Sequence, residues 1–277
     1  MTIKELLNWA YDYLDNPKGS NDPNILLGHV LNYDQASLVA RDDQAVSSQM
    51  KATFKGLVCK RKQGIPIAYL TGKREFWSLE LEVNNQVLIP RHETELLVET
   101  ALGKIADVPE PFILELGTGS GAISLAIASE RPDAKIIAID ISFDALTVAK
   151  RNQDKHHLQN IEWIQSDWFE SVSHHGKFHL ILGNPPYISR LDPHLNNGDL
   201  EYEPELALVA AENGFAEIER IANGASGYLI EGGWLCLEHG HDQGSGTRKL
   251  LMGCGFQKVK TIQDLAGNDR VSEGYYS

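Results

Sequence analysis

The sequence predicts an α/β protein: a mostly parallel, Rossmann-like sheet with helices on both faces, preceded by a small helical domain and joined to it by a β-hairpin. Three observations carry this. From Phe112 onward, short apolar runs of strand length alternate with helical patterns, which is the mark of a parallel sheet built from βαβ units. Over residues 1 to about 75 the apolar residues recur at helical spacing,. Between the two, at 75–89, the period changes to that of extended chain around Asn84-Asn85, a turn signal,.

In the helical part, Ile3, Leu6, Leu7, Ala10 and Leu14 share one face. The breaker Pro17-Lys18-Gly19-Ser20-Asn21-Asp22-Pro23 follows, and a second helix begins at Ile25 and Leu26,. A third runs through roughly Ser47–Gln63 and stops at Gly64 and Pro66,. Short connections suggest a small bundle. After the hairpin a helix covers about Glu93 to Lys104. Strands are expected at Phe112–Leu116, Lys135–Ile139, Ile161–Gln165, Phe178–Leu182 and Trp234–Glu238, with late strands at Phe256–Ile262 and Arg270–Tyr276. Helices are expected at Ala122–Glu130, Ser142–Lys155, Ala216–Leu229 and Gly246–Cys254. Sheets of this kind bind ligands at the C-terminal ends of their strands, near the point where strand order reverses.

The chain has 277 residues, 42% hydrophobic and 23% charged, which suits a large domain plus a small one,. No apolar run approaches the roughly 20 residues of a membrane helix, and the N-terminus lacks the pattern of a secretory signal,. Three widely spaced cysteines, Cys59, Cys236 and Cys254, match neither a zinc nor a redox spacing,. The expectation is a soluble cytoplasmic protein. The net charge of −13 is uneven: residues 1–75 carry 10 Lys+Arg against 8 Asp+Glu, and residues 76–277 carry 15 against 30. Phosphate contacts dominate nucleic-acid affinity, so so acidic a C-terminal part argues against non-specific DNA or RNA binding.

The first strand runs into Glu115-Leu116-Gly117-Thr118-Gly119-Ser120-Gly121. Alternate glycines between a strand and a helix let the backbone turn sharply and lie against a ligand. Asp140 ends the next strand, 23 residues after Gly117, where a carboxylate can accept from both hydroxyls of a ribose,. A nicotinamide dinucleotide site would favour a G-x-G-x-x-G spacing. Here the spacing is G-x-G-x-G, and Glu115 precedes it. An acid there would repel a pyrophosphate and would attract the ammonium of a methionine moiety. The cofactor indicated is S-adenosylmethionine.

The strand at 178–182 ends in Gly183-Asn184-Pro185-Pro186-Tyr187. In order it is the fourth strand of the sheet, expected beside the first, so its end lies next to the glycine loop. An –NH2 on an sp² carbon is a poor nucleophile and must be held in line with the leaving sulfur. The Asn184 side-chain oxygen and the Pro185 carbonyl can grip its two N–H groups. Pro185 and Pro186 fix the backbone that presents this carbonyl. Tyr187 offers a flat face to a planar group. Positive charge growing on nitrogen during transfer meets those oxygens, so binding strengthens in the transition state.

With these residues in view, the chain resembles the HemK-type (PrmC) glutamine methyltransferases over essentially its whole length. The resemblance rests on Gly64-Ile65-Pro66-Ile67-Ala68-Tyr69-Leu70-Thr71-Gly72, Glu75-Phe76, Leu88-Ile89-Pro90-Arg91, Glu93-Thr94-Glu95, Leu116–Gly121, Asp167-Trp168-Phe169, Asn184–Ile188 and Glu203-Pro204. It implies a class I S-adenosylmethionine-dependent methyltransferase fold, with a substrate-docking helical domain at 1–74, a hairpin linker at 75–90 and the methyltransferase domain at 91–277. It implies that Gly117, Thr118, Gly119, Ser120 and Gly121 wrap the cofactor, that Asp140 holds its ribose, that Asp167 and Trp168 border its adenine, and that Asn184 faces both cofactor and acceptor. The implied substrate is the glutamine of the Gly-Gly-Gln motif in class I peptide chain release factors, docked at Asn184–Tyr187. The products would be N5-methylglutamine and S-adenosyl-L-homocysteine. Two positions depart from the pattern: His92 stands where the family usually shows Pro, and Gly183 where Ser is common.

Other readings stay open. A ribosomal protein glutamine, or an exocyclic amine of DNA or RNA, would use the same Asn-Pro-Pro-Tyr grip. A non-catalytic module would be expected to have lost part of the glycine loop or of Asn184–Tyr187, and both are intact. His174-His175 and His239-Gly240-His241 match no common metal spacing, so no metal is expected,. Arg91, Glu93 and Glu95 fit either a cofactor border or a helix start, and Lys60-Arg61-Lys62 either a docking patch or a helix end. The polar stretch Ser189–Glu203 reads as a substrate-side loop.

Overall fold

The computed structural model describes residues 1–15, 20–192, 195 and 198–277. They form two compact units. The first holds Met1–Lys73 together with the short 3-10 helix Gly198–Tyr202, and the second holds the remainder.

The first unit contains α1 (Ile3–Leu14), α2 (Asp22–Leu31), α3 (Gln35–Ala40), α4 (Ser48–Lys62) and α5 (Ile67–Thr71). A capping box starts α1: Thr2 accepts from the Glu5 N–H, and the Glu5 carboxylate accepts from the Thr2 N–H,. Ile3, Leu6, Leu26, Leu27, Phe54 and Val58 close into one core. The breaker residues 16–19 lie outside the described residues. Helices α3 and α5 have six and five residues, too few turns for periodicity to reveal them. In the basic run, Arg61 donates to Asp22, to Asp199 and to the Gly64 and Ile65 carbonyls. It is an internal tie of this unit, whereas Lys62 pairs with the exposed Asp15.

The hairpin is formed by β1 (Lys73–Phe76) and β2 (Leu79–Glu82). Its turn is Trp77-Ser78, with φ of 51° and 60°, and not Asn84-Asn85. The asparagines make a separate turn in which the Val87 N–H reaches the Asn84 carbonyl. Two left-handed residues are what a two-residue hairpin turn of type I′ requires, and Asn or Gly usually supplies them. Here tertiary bonds offset the cost: the Trp77 backbone N–H donates to Glu95 Oε1 at 3.0 Å and its indole N–H to Glu130 Oε1 at 2.9 Å.

There follow a 3-10 turn at His92–Thr94, α6 (Glu95–Lys104), β3 (Phe112–Leu116), α7 (Ala122–Glu130), β4 (Lys135–Asp140), α8 (Phe143–Lys155), β5 (Ile161–Gln165), β6 (Phe178–Gly183), β7 (Ile188–Ser189), α9 (Glu205–Leu208), β8 (Val209–Ala210), α10 (Ala211–Gly214), α11 (Ala216–Ala225), β9 (Leu229–Glu238), α12 (Gly244–Gly253), β10 (Gln257–Gln263) and β11 (Asp269–Tyr275). Seven strands form one sheet in the order β10-β11-β9-β6-β3-β4-β5. Only β11 runs against the others. Alternate residues enter opposite cores: Ile113, Ile136 and Ala138 pack on the side of Leu97 and Leu125, and Leu114, Leu116, Ile137 and Ile139 on the side of Ile218 and Leu251. Both faces are covered, so the inner strands are mostly apolar, and the buried Glu115 in β3 and Glu238 at the end of β9 stand out,.

A second stretch differs from the sequence expectation. The helix from Ala216 ends at Ala225 rather than Leu229, and the strand after it begins at Leu229 rather than Trp234. Gly232-Gly233 interrupts that strand. Between the Phe178–Leu229 and Leu180–Trp234 pairs β6 advances two residues and β9 five, so the glycines form a bulge inside one continuous strand.

Candidate active site

Strand order reverses at β3 and β6, which lie side by side with β4 and β9 on their outer flanks. Their last register pair is Leu116 with Gly183. One residue further the chains leave the sheet, as Gly117 on one side and Asn184 on the other. The sheet thereby brings together the glycine loop and the Asn-Pro-Pro-Tyr element. Gly183 permits the closeness, since a Cβ there would stand 2.7 Å from the Leu116 carbonyl oxygen.

The glycine loop is held by β4. The Gly117 and Thr118 N–H groups both donate to the Ile139 carbonyl. Gly119, with φ 56°, has nothing within 4 Å of where its Cβ would be, so the loop presents bare backbone to open space,. Gly121, with φ 83°, is required for packing instead: a Cβ would lie 2.9 Å from the Trp163 ring. The Ser120 carbonyl accepts from Asn152 Nδ2 at 3.0 Å, and Asn152 also exchanges hydrogen bonds with the Glu82 backbone. Fully buried Asn152 thus ties the loop to the hairpin. Nothing in the sequence singled it out, because its partners lie 32 and 70 residues away.

Two acids line this loop. Asp140 Oδ2 accepts from the Gly119 N–H at 2.8 Å and Oδ1 from the Ser142 N–H at 2.9 Å. Burial raises its pKa, and those backbone donors oppose the rise,. Glu115 is fully buried. Its Oε2 accepts from the Thr118 hydroxyl at 2.7 Å, from the Ser124 N–H at 3.1 Å and from the Ser124 hydroxyl. Its Oε1 has no partner among the described residues. Burial pushes this carboxyl up to about 7, opposed by Ser124 and Thr118 and aided by the charge of Asp140. An open glycine cradle, a buried orphan oxygen and two acids fit a ligand carrying both a ribose and positive charge, as S-adenosylmethionine does.

The raised carboxyl yields a stability prediction. The folded chain holds the Glu115 proton more tightly than the unfolded chain, whose carboxyl has its ordinary pKa near 4.5. Its effect on stability is therefore most favourable below that value, worsens as pH rises, and levels off above about 7,. The difference is of order 3 kcal/mol. In Glu115→Gln the amide oxygen can keep the three bonds to Oε2. Its Tm relative to wild type should therefore be higher at about pH 8 than at about pH 5, by several degrees. Thermal scans without cofactor check this, and a pH-independent difference would contradict it.

The Asn-Pro-Pro-Tyr element is clamped from several directions. Pro185 is buried, and Asn184 and Tyr187 are half-buried. Asn184 Nδ2 donates to the Thr94 hydroxyl oxygen at 3.4 Å. The Tyr187 hydroxyl donates to Glu238 Oε1 at 3.3 Å, and its carbonyl accepts from Gln243 Nε2 at 3.1 Å. Burial pushes Glu238 up to about 7, opposed by the Thr94 hydroxyl, Arg270 and the Tyr187 hydroxyl, while Glu93 adds to the rise. Burial and the neighbouring Glu238 also push the Tyr187 phenol up. Thr94 and Glu238 were not legible as site residues. Thr94 did fall within the quoted Glu93-Thr94-Glu95 motif, and Glu238 ends a strand, as many site residues of α/β folds do.

Trp168 lies over the loop, its ring 3.6 Å from a Cβ built on Gly117, and its indole N–H donates to Glu217 at 2.7 Å. Asp167 accepts from Arg220 at 3.0 Å. Of the residues with two readings, Arg91 pairs at 2.5 Å with Glu203, whose other oxygen accepts from the Ile89 N–H, so it anchors the end of the polar stretch 189–203. Glu95 holds the hairpin turn, and the charge of Glu93 adds to the rise of the Glu238 carboxyl. The exposed His92 lies 3.8 Å from Glu95. His239 is buried against Ser272. Among the described residues no cluster of three His, Cys, Asp or Glu is placed to hold a metal, and no helix is long and apolar enough to cross a membrane.

Residues 5–72 match the family model described as PrmC N-terminal domain, and residues 92–198 the one described as Methyltransferase small domain. A release factor glutamine methyltransferase of Aliivibrio fischeri is 45% identical, with 100% of this chain and 98% of that relative covered. One of Escherichia coli is 42% identical over 98% of this chain and 99% of its own. The chain belongs to the release factor glutamine methyltransferase family. Its fold is the class I methyltransferase fold: a solved 16S rRNA methyltransferase of Thermus thermophilus, in complex with AdoMet and guanosine, superposes with a TM-score of 0.54 at 17% identity, covering 74% of this chain and 50% of that one. As a member of this family the chain is an enzyme, and its methyltransferase domain implies the use of S-adenosylmethionine.

Proposed function

We propose that the chain transfers a methyl group from S-adenosylmethionine to the side-chain amide nitrogen (N5) of the glutamine in the Gly-Gly-Gln motif of class I peptide chain release factors. Membership of the release factor glutamine methyltransferase family supports the substrate. The observation that carries the chemistry is the Leu116–Gly183 register pair, which sets Asn184 beside the start of the glycine loop.

In this reading Gly117, Thr118, Gly119, Ser120 and Gly121 cradle the cofactor, Asp140 accepts from its ribose, and Asp167 and Trp168 border its adenine. Ile141 and Phe143, apolar and exposed beside Asp140, add an apolar edge. The orphan Glu115 Oε1 supplies negative potential for the ammonium and sulfonium. Bound S-adenosylmethionine supplies an electrophilic methyl group. The chain's own part is to hold the acceptor. Asn184 Oδ1 and the Pro185 carbonyl accept the two amide N–H groups, which orients the nitrogen lone pair and stabilises the charge that develops there. Pro186 keeps that carbonyl in place, and Tyr187, anchored at both its hydroxyl and its carbonyl, gives the planar amide a fixed face. The methylated nitrogen is acidic enough to lose its proton to water. Residues 1–74 are assigned to substrate docking, 75–90 to the linker and 91–277 to methyl transfer, and the enzyme is placed in the cytoplasm, with no direct nucleic-acid or membrane partner.

The test is transfer from labelled S-adenosylmethionine to a bacterial release factor, to mixed ribosomal proteins and to unmethylated DNA. Label on the release factor, mapped to the Gly-Gly-Gln glutamine, is expected. Label confined to ribosomal protein or DNA would replace the substrate while keeping the grip on an –NH2 group.

A further inference from the structure

Tyr187 is held at two points by one short segment of chain, the connection from the end of β9 to α12. Glu238 Oε1 accepts from its hydroxyl at 3.3 Å. Gln243, 5% exposed, holds its backbone: Nε2 donates to the Tyr187 carbonyl at 3.1 Å and, at 3.5 Å, to the carbonyl of Asn213. The Gln243 Oε1 accepts from the Gly240 N–H at 2.8 Å. We propose that Gln243 is a positioning residue for methyl transfer, acting through the Tyr187 carbonyl to keep Asn184 and the Pro185 carbonyl in the geometry that grips the acceptor.

The partners of Gln243 fix the orientation of its amide. A backbone N–H only donates and a backbone carbonyl only accepts. Gly240 therefore selects the amide oxygen and Tyr187 the amide nitrogen, and a flipped amide would lose both bonds. The backbone of Gln243 is held as well, since its carbonyl accepts from the Thr247 N–H at 2.9 Å and from the Thr247 hydroxyl at 3.0 Å, in the first turn of α12. A neighbouring turn closes on the same point. Glu212, Asn213 and Gly214 are all left-handed, with φ of 53°, 56° and 89°. A Cβ on Gly214 would collide with the Tyr187 carbonyl oxygen and stand 2.6 Å from Gln243 Nε2. The Asn184–Tyr187 element is stiff, because two prolines leave it few free torsions, so it moves as a lever about its ends. One end is set by the Leu116–Gly183 pair. The other is the Tyr187–Ile188 peptide, whose carbonyl Gln243 holds. A swing there displaces both acceptor oxygens, and a misplacement of about 1 Å can cost about 100-fold in rate.

The inference rests on the proposed role of Asn184–Tyr187, and the experiment separates the two. Methyl transfer to the release factor and S-adenosylmethionine affinity would be measured for wild type, Gln243→Met and Gln243→Glu. Methionine keeps the shape and removes both bonds. Gln243→Met should lower kcat by about tenfold or more, with KM for the release factor and cofactor affinity within about threefold of wild type. Equal losses in kcat and cofactor affinity would overturn the positioning role. Gln243→Glu tests the polarity. Its protonated carboxyl can donate to the Tyr187 carbonyl while the other oxygen accepts from Gly240, whereas the ionised form has nothing to donate. Burial favours the protonated form. Its kcat relative to wild type should therefore climb as pH falls from about 8 to about 5, while that of Gln243→Met stays flat. Taking the ratio to wild type removes the titrations of Glu115 and Glu238, which all three proteins share. Flat and equal ratios for both variants would overturn the clamp. A further readout needs no substrate: nitrogen-15 relaxation at the Tyr187 and Ile188 amides should report a more mobile backbone in Gln243→Met than in wild type, and unchanged mobility would contradict the clamp. If wild type failed to methylate the release factor but Tyr187 loosened in Gln243→Met, the clamp would stand and the substrate proposal would fall.

Discussion

Asn184→Ala is expected to lower kcat by about 10³ while leaving S-adenosylmethionine affinity within about twofold of wild type. Asn184 follows Gly183 at the end of β6, half-buried, with its NH2 held by Thr94. Its oxygen is the side-chain acceptor in the proposed grip on the acceptor amide. Removing it frees the acceptor to rotate out of line and removes an oxygen from the nitrogen on which charge develops. Loss of a comparable preorganised polar contact costs roughly 3 to 4 kcal/mol of transition-state stabilisation. The cofactor's ribose and methionine ends are assigned to Asp140 and Glu115, and neither touches Asn184 through any bond described. Single-turnover rates at saturating cofactor, with affinity from calorimetry, separate the two effects. If cofactor binding collapsed along with turnover, Asn184 would belong to the cofactor site and the acceptor grip would have to be placed elsewhere.

The second large effect belongs to Asp140. Asp140→Ala should weaken cofactor binding by about 100-fold or more. Two hydrogen bonds from ribose hydroxyls to a charged acceptor are worth roughly 3 kcal/mol together. The same substitution also leaves the Gly119 and Ser142 N–H groups without their carboxylate, so the glycine loop loses a brace as well as the ligand an anchor. Asp140→Asn distinguishes these contributions: it keeps an acceptor oxygen for the loop and loses the charge, and should fall between wild type and alanine. Wild-type affinity in Asp140→Ala, measured by calorimetry, would sink the ribose assignment.

The parts of the site that could be read in the sequence share one property: their chemistry is local. Gly117–Gly121 needs only its own backbone freedom and the strand and helix on either side. Asn184–Tyr187 needs only two prolines and the end of a strand. Asp140 needs only its place at the end of β4. In each case the residue type and the neighbouring element appear within a few positions of each other, where periodicity and turn chemistry act. Asn152, Thr94 and Glu238 have no such local mark. Thr94 meets Asn184 across 90 residues and Tyr187 meets Glu238 across 51, and a threonine in a helix start or a glutamate at a strand end looks ordinary until the sheet brings them together.

The hairpin shows the same division from the other side. Asn84-Asn85 has the turn propensity, yet the chain reverses at Trp77-Ser78, because Glu95 and Glu130 bind the Trp77 N–H groups there. At Gly232-Gly233 the strand bulges without ending, since β6 pairs with β9 at Leu229 before the glycines and from Trp234 after them. By itself, then, the sequence determined the class of fold, the helical and α/β parts, and the places of the glycine loop and of the Asn-Pro-Pro-Tyr element at strand ends, because these follow from side-chain period and from glycine and proline stereochemistry. Only the tertiary structure decided where the hairpin turns, which buried groups brace the glycine loop and which way the Asn184 amide faces, because those depend on hydrogen bonds between residues that the chain brings together only when the sheet has formed.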